Sequence, residues 1–554
     1  MARRKPRLRL IPLGGLGEIG KNMLVVEYGA SILVIDAGLM FPEEEMLGID
    51  LVLPDYSYLL DNSDKVLGIV LTHGHEDHTG ALPYLLRSLD VPVYGTRLTL
   101  GLVKGKLAEH RLEKAKLKEI HPGGHLRLGA FDINFASVSH SIPDGVALII
   151  DTPQGRIIHT GDFKLDQTPM DSRATDICAF ASASKDGILA LLSDSTNAEM
   201  PGHVPPERAV GRVLEDIFHD AKKRVIIASF ASHIHRIQQV VDMAGRFGRK
   251  VVVVGRSMVN NVQIAQDLGY LRLPEGVVVD VGDMKKHDPA KIAVLSTGSQ
   301  GEPLSALARM AAREHRFVTI EPGDTVVISA SPVPGNEKAV SRTIDRLFKA
   351  GAEVFYESIS GVHVSGHGAQ EELRLMLNIV KPRYFIPIHG EYRHLKYHAM
   401  LAESVGIGKE NIFVLQNGDV LELSSRKAEP AGSVQAGMIL VDGLGVGDIG
   451  NVVLRDRQQL SQDGIFIIVV TINAQTGEVV TRPEVISRGF VYVKEAKELL
   501  EQARRRVEER LANTAKEHIT DYGVLKSDVR RTLGQFLYDE TGRRPMILPV
   551  VVEV

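Results

Sequence analysis

The chain has 554 residues, 44% of them hydrophobic and 24% charged, with a formal net charge of −4. That length exceeds one core and calls for roughly two to four domains, and no apolar run is long enough to span a membrane. Cys178 is the only cysteine, which excludes intramolecular disulfides and cysteine-rich zinc motifs and favours a cytoplasmic setting. Any metal must therefore sit on His, Asp or Glu. The acidic balance weighs mildly against a nucleic-acid enzyme, although a positive channel can be local. There is no tryptophan, so base stacking would fall to Phe, Tyr, His or Arg.

Residues 7–13 read as a short strand, followed by Gly15-Leu16-Gly17-Glu18-Ile19-Gly20, a GxGxxG pattern. A dinucleotide fingerprint needs a helix straight after the glycines. Residues 23–36 read instead as a β-hairpin turning at Tyr28-Gly29, so that reading is rejected. Residues 66–71 read as a buried strand that ends in His73-Gly74-His75-Glu76-Asp77-His78. His73 and His75 alternate and share a face in extended backbone. Asp77 and His78 lie where the chain turns into a helix at 80–86. The motif offers two pairs of ligands to two adjacent ions. Imidazole with carboxylate suits Zn²⁺, with Mn²⁺ as an alternative.

Later strands, at 131–140 and 155–162, end in His140 and Asp162, while His159 lies inside its strand and reads as structural. An apolar strand at 189–193 ends in Asp194, a carboxylate able to orient a metal-ligating histidine. From 205 to 350 the pattern becomes strand, loop, helix, repeated. Strands near 224–229, 250–254 and 292–296 end in Ser-, Gly- and His-rich loops that feed helix N-termini, where backbone N–H groups favour phosphate oxygens. Serine capping explains any one of these loops nearly as well; three together favour a phosphate-lined groove.

Residues 351–425 return to chemistry with His363, Ser365-Gly366-His367-Gly368 and Pro387-Ile388-His389-Gly390-Glu391. Residues 426–450, rich in Gly, Ala and Ser, read as a linker. The tail, 451–554, gives strands at 465–471 and 549–552 around a charged helix from Lys494 to about Asn513. This is a small α+β domain, with Arg504, Arg505 and Arg506 on a solvated helix face.

The pattern His-x-His-x-Asp-His resembles the metallo-β-lactamase signature. With an inserted α/β domain and Asp194, His367 and His389 downstream, the chain resembles the β-CASP nucleases. Its motifs from Pro12 to Asn22, Thr72 to His78, Ser193 to Asn197, Ser365 to Gly368 and Pro387 to Glu391 are similar to those of the bacterial ribonuclease J family along nearly the whole length. The resemblance implies an α/β protein. A metallo-β-lactamase αββα core (1–204 and 351–425) would carry an inserted β-CASP domain (205–350), a linker (426–450) and a C-terminal α+β domain (451–554).

For the site, the resemblance implies His73, His75 and His140 on one ion, Asp77 and His78 on a second, and Asp162 bridging both. His389 would ligate the second ion or contact phosphate, and it marks enzymes acting on RNA rather than DNA. Asp77, Asp162, Asp194 and His367 are the expected catalytic residues, with His367 as the leading proton donor to the leaving oxygen. Ser229, Ser232, His233, His363, Ser365, Gly366 and His367 are the expected phosphate and RNA contacts.

The implied activity is a two-zinc ribonuclease, acting 5′ to 3′ with preference for 5′-monophosphate ends and also endonucleolytically, in RNA maturation and mRNA decay. Its implied partners are single-stranded RNA, further copies of itself as a homodimer or tetramer of dimers, and other RNA-decay proteins; no membrane is implied. A small-molecule thioester or lactone hydrolase is opposed by the inserted domain. A dead RNA-binding scaffold is opposed by the complete ligand set, and a DNA nuclease by His389.

Overall fold

The computed structural model describes residues 6–302, 304–476, 478–492, 496–516 and 521–554. The chain divides into two compact units, Met1–Phe41 with Leu51–Ile439, and Pro42–Asp50 with Leu440–Val554.

The first unit holds two facing sheets and a third apart from them. The first sheet has eight strands, in the order Ala428–Ser433, Asp419–Leu423, Leu8–Gly14, Met23–Tyr28, Ser31–Ile35, Val66–Val70, Val93–Gly95 and Leu117–Glu119. The second has six, in the order Tyr384–Ile388, Ala190–Asp194, Gly155–His159, Val146–Thr152, Phe131–Ser137 and His125–Leu128. The strand Leu8–Gly14 shows why both of its faces are apolar. Leu8 and Leu10 enter a core with Phe131, Ile133, Leu148 and Ile386 of the opposite sheet. Ile11 and Leu13 face a second core with Leu82, Leu85 and Leu107 of the outer helices. The other outer face is covered by Phe180, Leu373, Met376 and Leu401. The result is four layers, helix, sheet, sheet, helix, as expected for the αββα core.

As the hairpin reading requires, no helix follows the glycine motif near residue 15. Met23–Tyr28 pairs antiparallel with Ser31–Ile35. The glycine turn docks instead on the last histidine loop, with the Gly17 N–H donating to the Gly390 carbonyl at 2.9 Å. The inserted region forms a separate parallel sheet, ordered Val278–Val279, Lys250–Val254, Ile292–Ser296, Val225–Ala228, Thr325–Ile328 and Glu353–Tyr356. Helices Ile234–Arg246 and Arg256–Asp267 pack on one face, and Ala306–Ala311 and Glu337–Lys349 on the other.

The segment 426–450 differs from the expected linker. Ala428–Ser433 pairs antiparallel with Asp419–Leu423 and forms the edge of the eight-stranded sheet. Its side chains are mostly exposed, so it is held by backbone hydrogen bonds that composition does not reveal.

In the second unit, Ile465–Ile472 lies between Val479–Arg488 and Met546–Glu553. Phe466, Ile468, Val470 and Ile472 pack against Leu500, Val507, Leu511, Val529 and Leu533 of helices Lys497–Lys516 and Tyr522–Thr541. Lys494, the expected helix start, lies outside the described residues. Arg505 and Arg506 are exposed as expected, with the Arg506 guanidinium 4.6 Å from the Phe536 ring centre. Among the described residues, no helix is long and apolar enough to cross a membrane.

Candidate metal centre

Strand ends of both facing sheets converge on one cluster. Val66–Val70 leads into His73, His75, Asp77 and His78, with Asp77 and His78 on the short helix Glu76–Thr79. Phe131–Ser137, Gly155–His159, Ala190–Asp194 and Tyr384–Ile388 lead to His140, Asp162, Asp194 and His389. The last two strands pair in parallel, Asp194 opposite Ile388, which places Asp194 and His389 together although 195 residues separate them.

Three groups of ligand atoms form, each within 4.8 Å: His73, His75 and His140; Asp77, His78, Asp162 and His389; and Asp162, Asp194, His367 and His389. In the first group, the His73 Nε2 and His140 Nε2 atoms lie 3.0 and 3.1 Å from His75 Nδ1. Tetrahedral ligation at about 2.0–2.1 Å spaces imidazole nitrogens by roughly 3.3 Å, so this donor set fits a small divalent ion closely. Asp162 Oδ2 lies 3.6 Å from His73 Nε2, 3.8 Å from His140 Nε2 and 3.2 Å from His78 Nε2. It is thus shared between the first two groups.

The imidazoles are held by their far nitrogens. His140 Nδ1–H donates to the Gly366 carbonyl at 2.8 Å. His78 Nδ1–H donates to Asp36 Oδ2 at 2.8 Å. His73 Nδ1 meets Thr72 Oγ1 at 3.0 Å, and that hydroxyl donates to Asp36 Oδ2 at 2.8 Å. In each case Nε2 is left as the free lone pair. Gly366 has no room for a side chain, since a Cβ there would stand 2.6 Å from His140 Cε1. Gly38 is likewise required, because its Cβ would stand 1.6 Å from the Asp77 carbonyl oxygen.

Electrostatics divide the cluster. Burial, reinforced mainly by neighbouring imidazoles, pushes His73 and His140 well below the ordinary histidine value, and burial brings His75 down to about 4. At pH 7 these three are neutral imidazoles, the form able to bind a divalent ion. Burial also opposes protonation of His78 and His389, but it is outweighed: Asp162, Asp77 and Asp36 raise His78, and Asp162, Asp194 and Asp77 raise His389 to about 10. A cation entering there competes with protons for the same nitrogens.

His367 belongs to the third group alone, its Nδ1 2.8 Å from Asp194 Oδ2 and 4.0 Å from Asp162 Oδ2. Burial would lower its pKa, yet Asp194 raises it above the usual value. Asp194 Oδ1 in turn accepts from the Thr196 N–H and hydroxyl at 3.0 and 2.9 Å. His159 is structural, accepting from the Gly161 N–H at 3.1 Å.

The residues expected to contact phosphate divide in two. Ser365, Gly366 and His367 lie at the cluster, and Ser365 Oγ accepts from Asn197 Nδ2 at 2.8 Å. Ser229 and His233 instead turn inward. Ser229 Oγ donates to the Phe230 carbonyl at 3.3 Å. His233 Nδ1 accepts from the Arg236 N–H at 3.3 Å as a helix cap, while its Nε2 faces Glu207 at 3.6 Å. The alternative weighed for these loops was capping by serine; here the cap is His233 itself. Ser232 is half-buried, and the His363 ring lies 6.5 Å from that of His233.

The loop 362–367 is clamped from beneath by side chains that the sequence did not single out. Arg236 donates to the Val362 carbonyl at 2.7 Å and to Glu207 at 2.5 Å. Lys164 donates to the Ser365 carbonyl at 3.1 Å, and Asn197 to the His367 carbonyl at 2.7 Å. Asp36 and Thr72 were also missed as orienting groups; the only signal was that they stand at the ends of neighbouring strands.

Models of known families match in four stretches. The metallo-β-lactamase superfamily matches residues 16–222, the ribonuclease J β-CASP domain 222–347, the Zn-dependent metallo-hydrolase RNA specificity domain 353–415 and the ribonuclease J C-terminal domain 452–554. Ribonuclease J2 of Bacillus subtilis is 48% identical over 99% of both chains. Ribonuclease J 1 of Streptococcus pyogenes is 44% identical over 98% of this chain and 96% of its own. A solved protein of unknown function from Enterococcus faecalis shares the fold, with a TM-score of 0.55 at 15% identity over 75% of this chain and 100% of its own. With a divalent-metal donor set at the strand ends and relatives of this identity over the full length, the chain belongs to the ribonuclease J family and is a metal-dependent ribonuclease.

Proposed function

We propose that this ribonuclease removes nucleotides from single-stranded RNA in the 5′-to-3′ direction, favours 5′-monophosphate ends and also cleaves internally, in cytoplasmic RNA maturation and mRNA decay. The observation that carries the reading is a histidine outside the two best ligand sets, His367, charge-coupled to Asp194 and standing at their edge. Two Zn²⁺ ions, or Mn²⁺ as the alternative, would be held here: His73, His75 and His140 would take one, Asp77, His78 and His389 the other, and Asp162 is near enough to both groups to serve either. Bound there, such ions lower the pKa of an attacking water and offset charge on the scissile phosphate.

The protein's own groups supply the rest. Asp77 and Asp162 are placed to orient the water. Asp194 keeps the Nδ1 proton of His367, so the proton available to the leaving 3′ oxygen is the one on Nε2. Ser365 and Gly366 sit on a clamped loop that touches His140, so a terminal phosphate held by this loop would lie next to the cluster. A pocket of monophosphate size excludes a triphosphate by shape and charge. The homodimer or larger assembly, and partnership with other RNA-decay proteins, belong to the same reading.

The test is one RNA, labelled internally and at its end, bearing either a 5′-monophosphate or a 5′-triphosphate, incubated with enzyme and Zn²⁺ or Mn²⁺. Mononucleotides released mainly from the monophosphate form are expected. Internal fragments in equal yield from both forms would defeat the 5′-end reading and leave an endonuclease.

A further inference from the structure

The parallel sheet of the inserted domain carries a cavity that the metal centre does not use. Strands Lys250–Val254 and Ile292–Ser296 are parallel neighbours. The helix following the first buries Met258, Val262 and Ala265 on one face of the sheet; the helix following the second buries Ala306, Leu307 and Met310 on the other. Adjacent connections leave in opposite directions, and this opens a crevice at the carboxyl ends of the strands, where open α/β sheets take their ligands. Here it encloses a cavity of about 640 Å³. Both strands end in glycines in the left-handed region, Gly255 with φ 106° and Gly298 with φ 101°. A Cβ on Gly255 would stand 2.6 Å from Thr297 Oγ1, so glycine keeps the two strand ends in close contact at the cavity.

The lining suits a nucleotide. Arg256 and Arg309 line it together with Ser257, Asn260, His315 and Phe317. Arg256 is exposed and has no hydrogen-bond or ion-pair partner among the described residues. Among the described residues, the Arg309 side chain donates only to the Glu314 carbonyl, through Nη2 at 3.2 Å. Glu109 is the one carboxylate among the lining residues, which leaves an excess of positive charge. Phe317 is 42% exposed, with the Arg316 guanidinium over its ring at 5.0 Å from the centre, and an exposed aromatic ring of this kind can stack a base. The cavity shares its sheet edge with the loop 229–233, where the Ser229 N–H donates to the Ser296 carbonyl at 3.2 Å. The helix after that loop carries Arg236, which holds the loop 362–367 of the metal centre.

We propose that this cavity is a second RNA subsite, holding one nucleotide of a bound single strand away from the scissile bond, its phosphate between Arg256 and Arg309 and its base on Phe317. It rests on the family's action on RNA and not on the direction of cleavage.

The test compares wild type with the double variant Arg256→Gln/Arg309→Gln and with Phe317→Leu. Binding of a 5′-monophosphorylated dinucleotide and of an oligonucleotide of about 20 residues is measured with the metals chelated, over a range of salt. The long RNA is expected to bind about 10-fold or more weakly in each variant. In the arginine variant the slope of log affinity against log salt should fall by roughly 0.7, the value for one neutralised phosphate on a single strand. Dinucleotide binding and hydrolysis of a small phosphodiester should be unchanged, which also reports an intact fold. Unchanged affinity and slope for the long RNA, or an equal loss for the dinucleotide, would overturn the proposal. So would free AMP occupying the cavity without being displaced by long RNA, which would assign the site to a free nucleotide.

Discussion

Asp36 touches none of the bound cations in the proposed scheme, yet Asp36→Asn is expected to weaken divalent-ion binding. Its carboxylate accepts three hydrogen bonds, from the Thr72 N–H at 2.8 Å, the Thr72 hydroxyl at 2.8 Å and His78 Nδ1–H at 2.8 Å. An asparagine amide has one acceptor oxygen. Turned one way, its NH₂ confronts His78 Nδ1–H; turned the other, it confronts the Thr72 N–H. Leaving a buried donor unmatched costs about 1–3 kcal/mol. If His78 escapes by moving its proton to Nε2, the lone pair needed by a metal is lost. Removal of such an orienting partner typically costs 10- to 100-fold in metal affinity, or about 1.4–2.7 kcal/mol, which agrees with the first figure.

The substitution is a clean one, because Asp36 has φ 62° and asparagine tolerates the left-handed region better than other replacements. The assay is titration of metal-stripped protein with Zn²⁺ against a competing chromophoric chelator, with circular dichroism as the check on folding. The larger loss is expected at the weaker-binding step, assigned to the group containing His78. Affinities within about twofold of wild type at every step would refute the orienting role of Asp36.

Gly366→Ala should act on the other group, since the new Cβ would stand 2.7 Å from His140 Nδ1 and turn the ring off the Gly366 carbonyl. About 10- to 100-fold weaker Zn²⁺ binding is expected in the same titration, and affinities within about twofold of wild type would refute the contact. Asp194→Asn removes the charge that holds His367 above its usual pKa. If the protonated imidazole is the working form, activity falls as pH rises through that pKa, so the alkaline limb of kcat/KM should move to lower pH in the variant; an unmoved limb would remove His367 as the acid.

His398, fully buried beside Ser195, is pushed by burial down to about 3. The unfolded imidazole protonates near 6.5, so between these values the unfolded state binds the extra proton and stability is lost as pH falls. From well above pH 6.5 down to pH 5 the loss is about 2 kcal/mol. His398→Gln should flatten this part of the urea-midpoint profile against pH, and an unchanged slope would count against the buried neutral imidazole.

The metal motif was legible because its chemistry is local: six consecutive residues after an apolar strand carry four ligands. Strand ends at His140, Asp162, Asp194 and His389 were equally visible, although only the family resemblance joined them into one site. Asp36 was not legible as an orienting group, because its partner His78 reaches it only through the parallel pairing of Ser31–Ile35 with Val66–Val70. The clamp of Lys164, Glu207 and Arg236 was hidden for the same reason, since buried charges distant in sequence look like surface residues until the fold pairs them. Ala428–Ser433 was misread because an exposed edge strand needs backbone partners rather than apolar side chains. At His233 helix capping takes Nδ1, and Nε2 faces Glu207 at 3.6 Å, a pairing distant in sequence that the loop composition does not reveal.

The pairing of Ala190–Asp194 with Tyr384–Ile388 also sets a clock on biosynthesis. With 195 residues between Asp194 and His389, a ribosome adding about 5–20 residues per second needs roughly 10–40 seconds to deliver the second after the first. Throughout that interval the strand Ala190–Asp194 lacks its neighbour Tyr384–Ile388, and the cluster lacks His389. The emerging chain, tethered beside the very message that encodes it, is therefore unable to bring His389 to the cluster until residue 389 has been made.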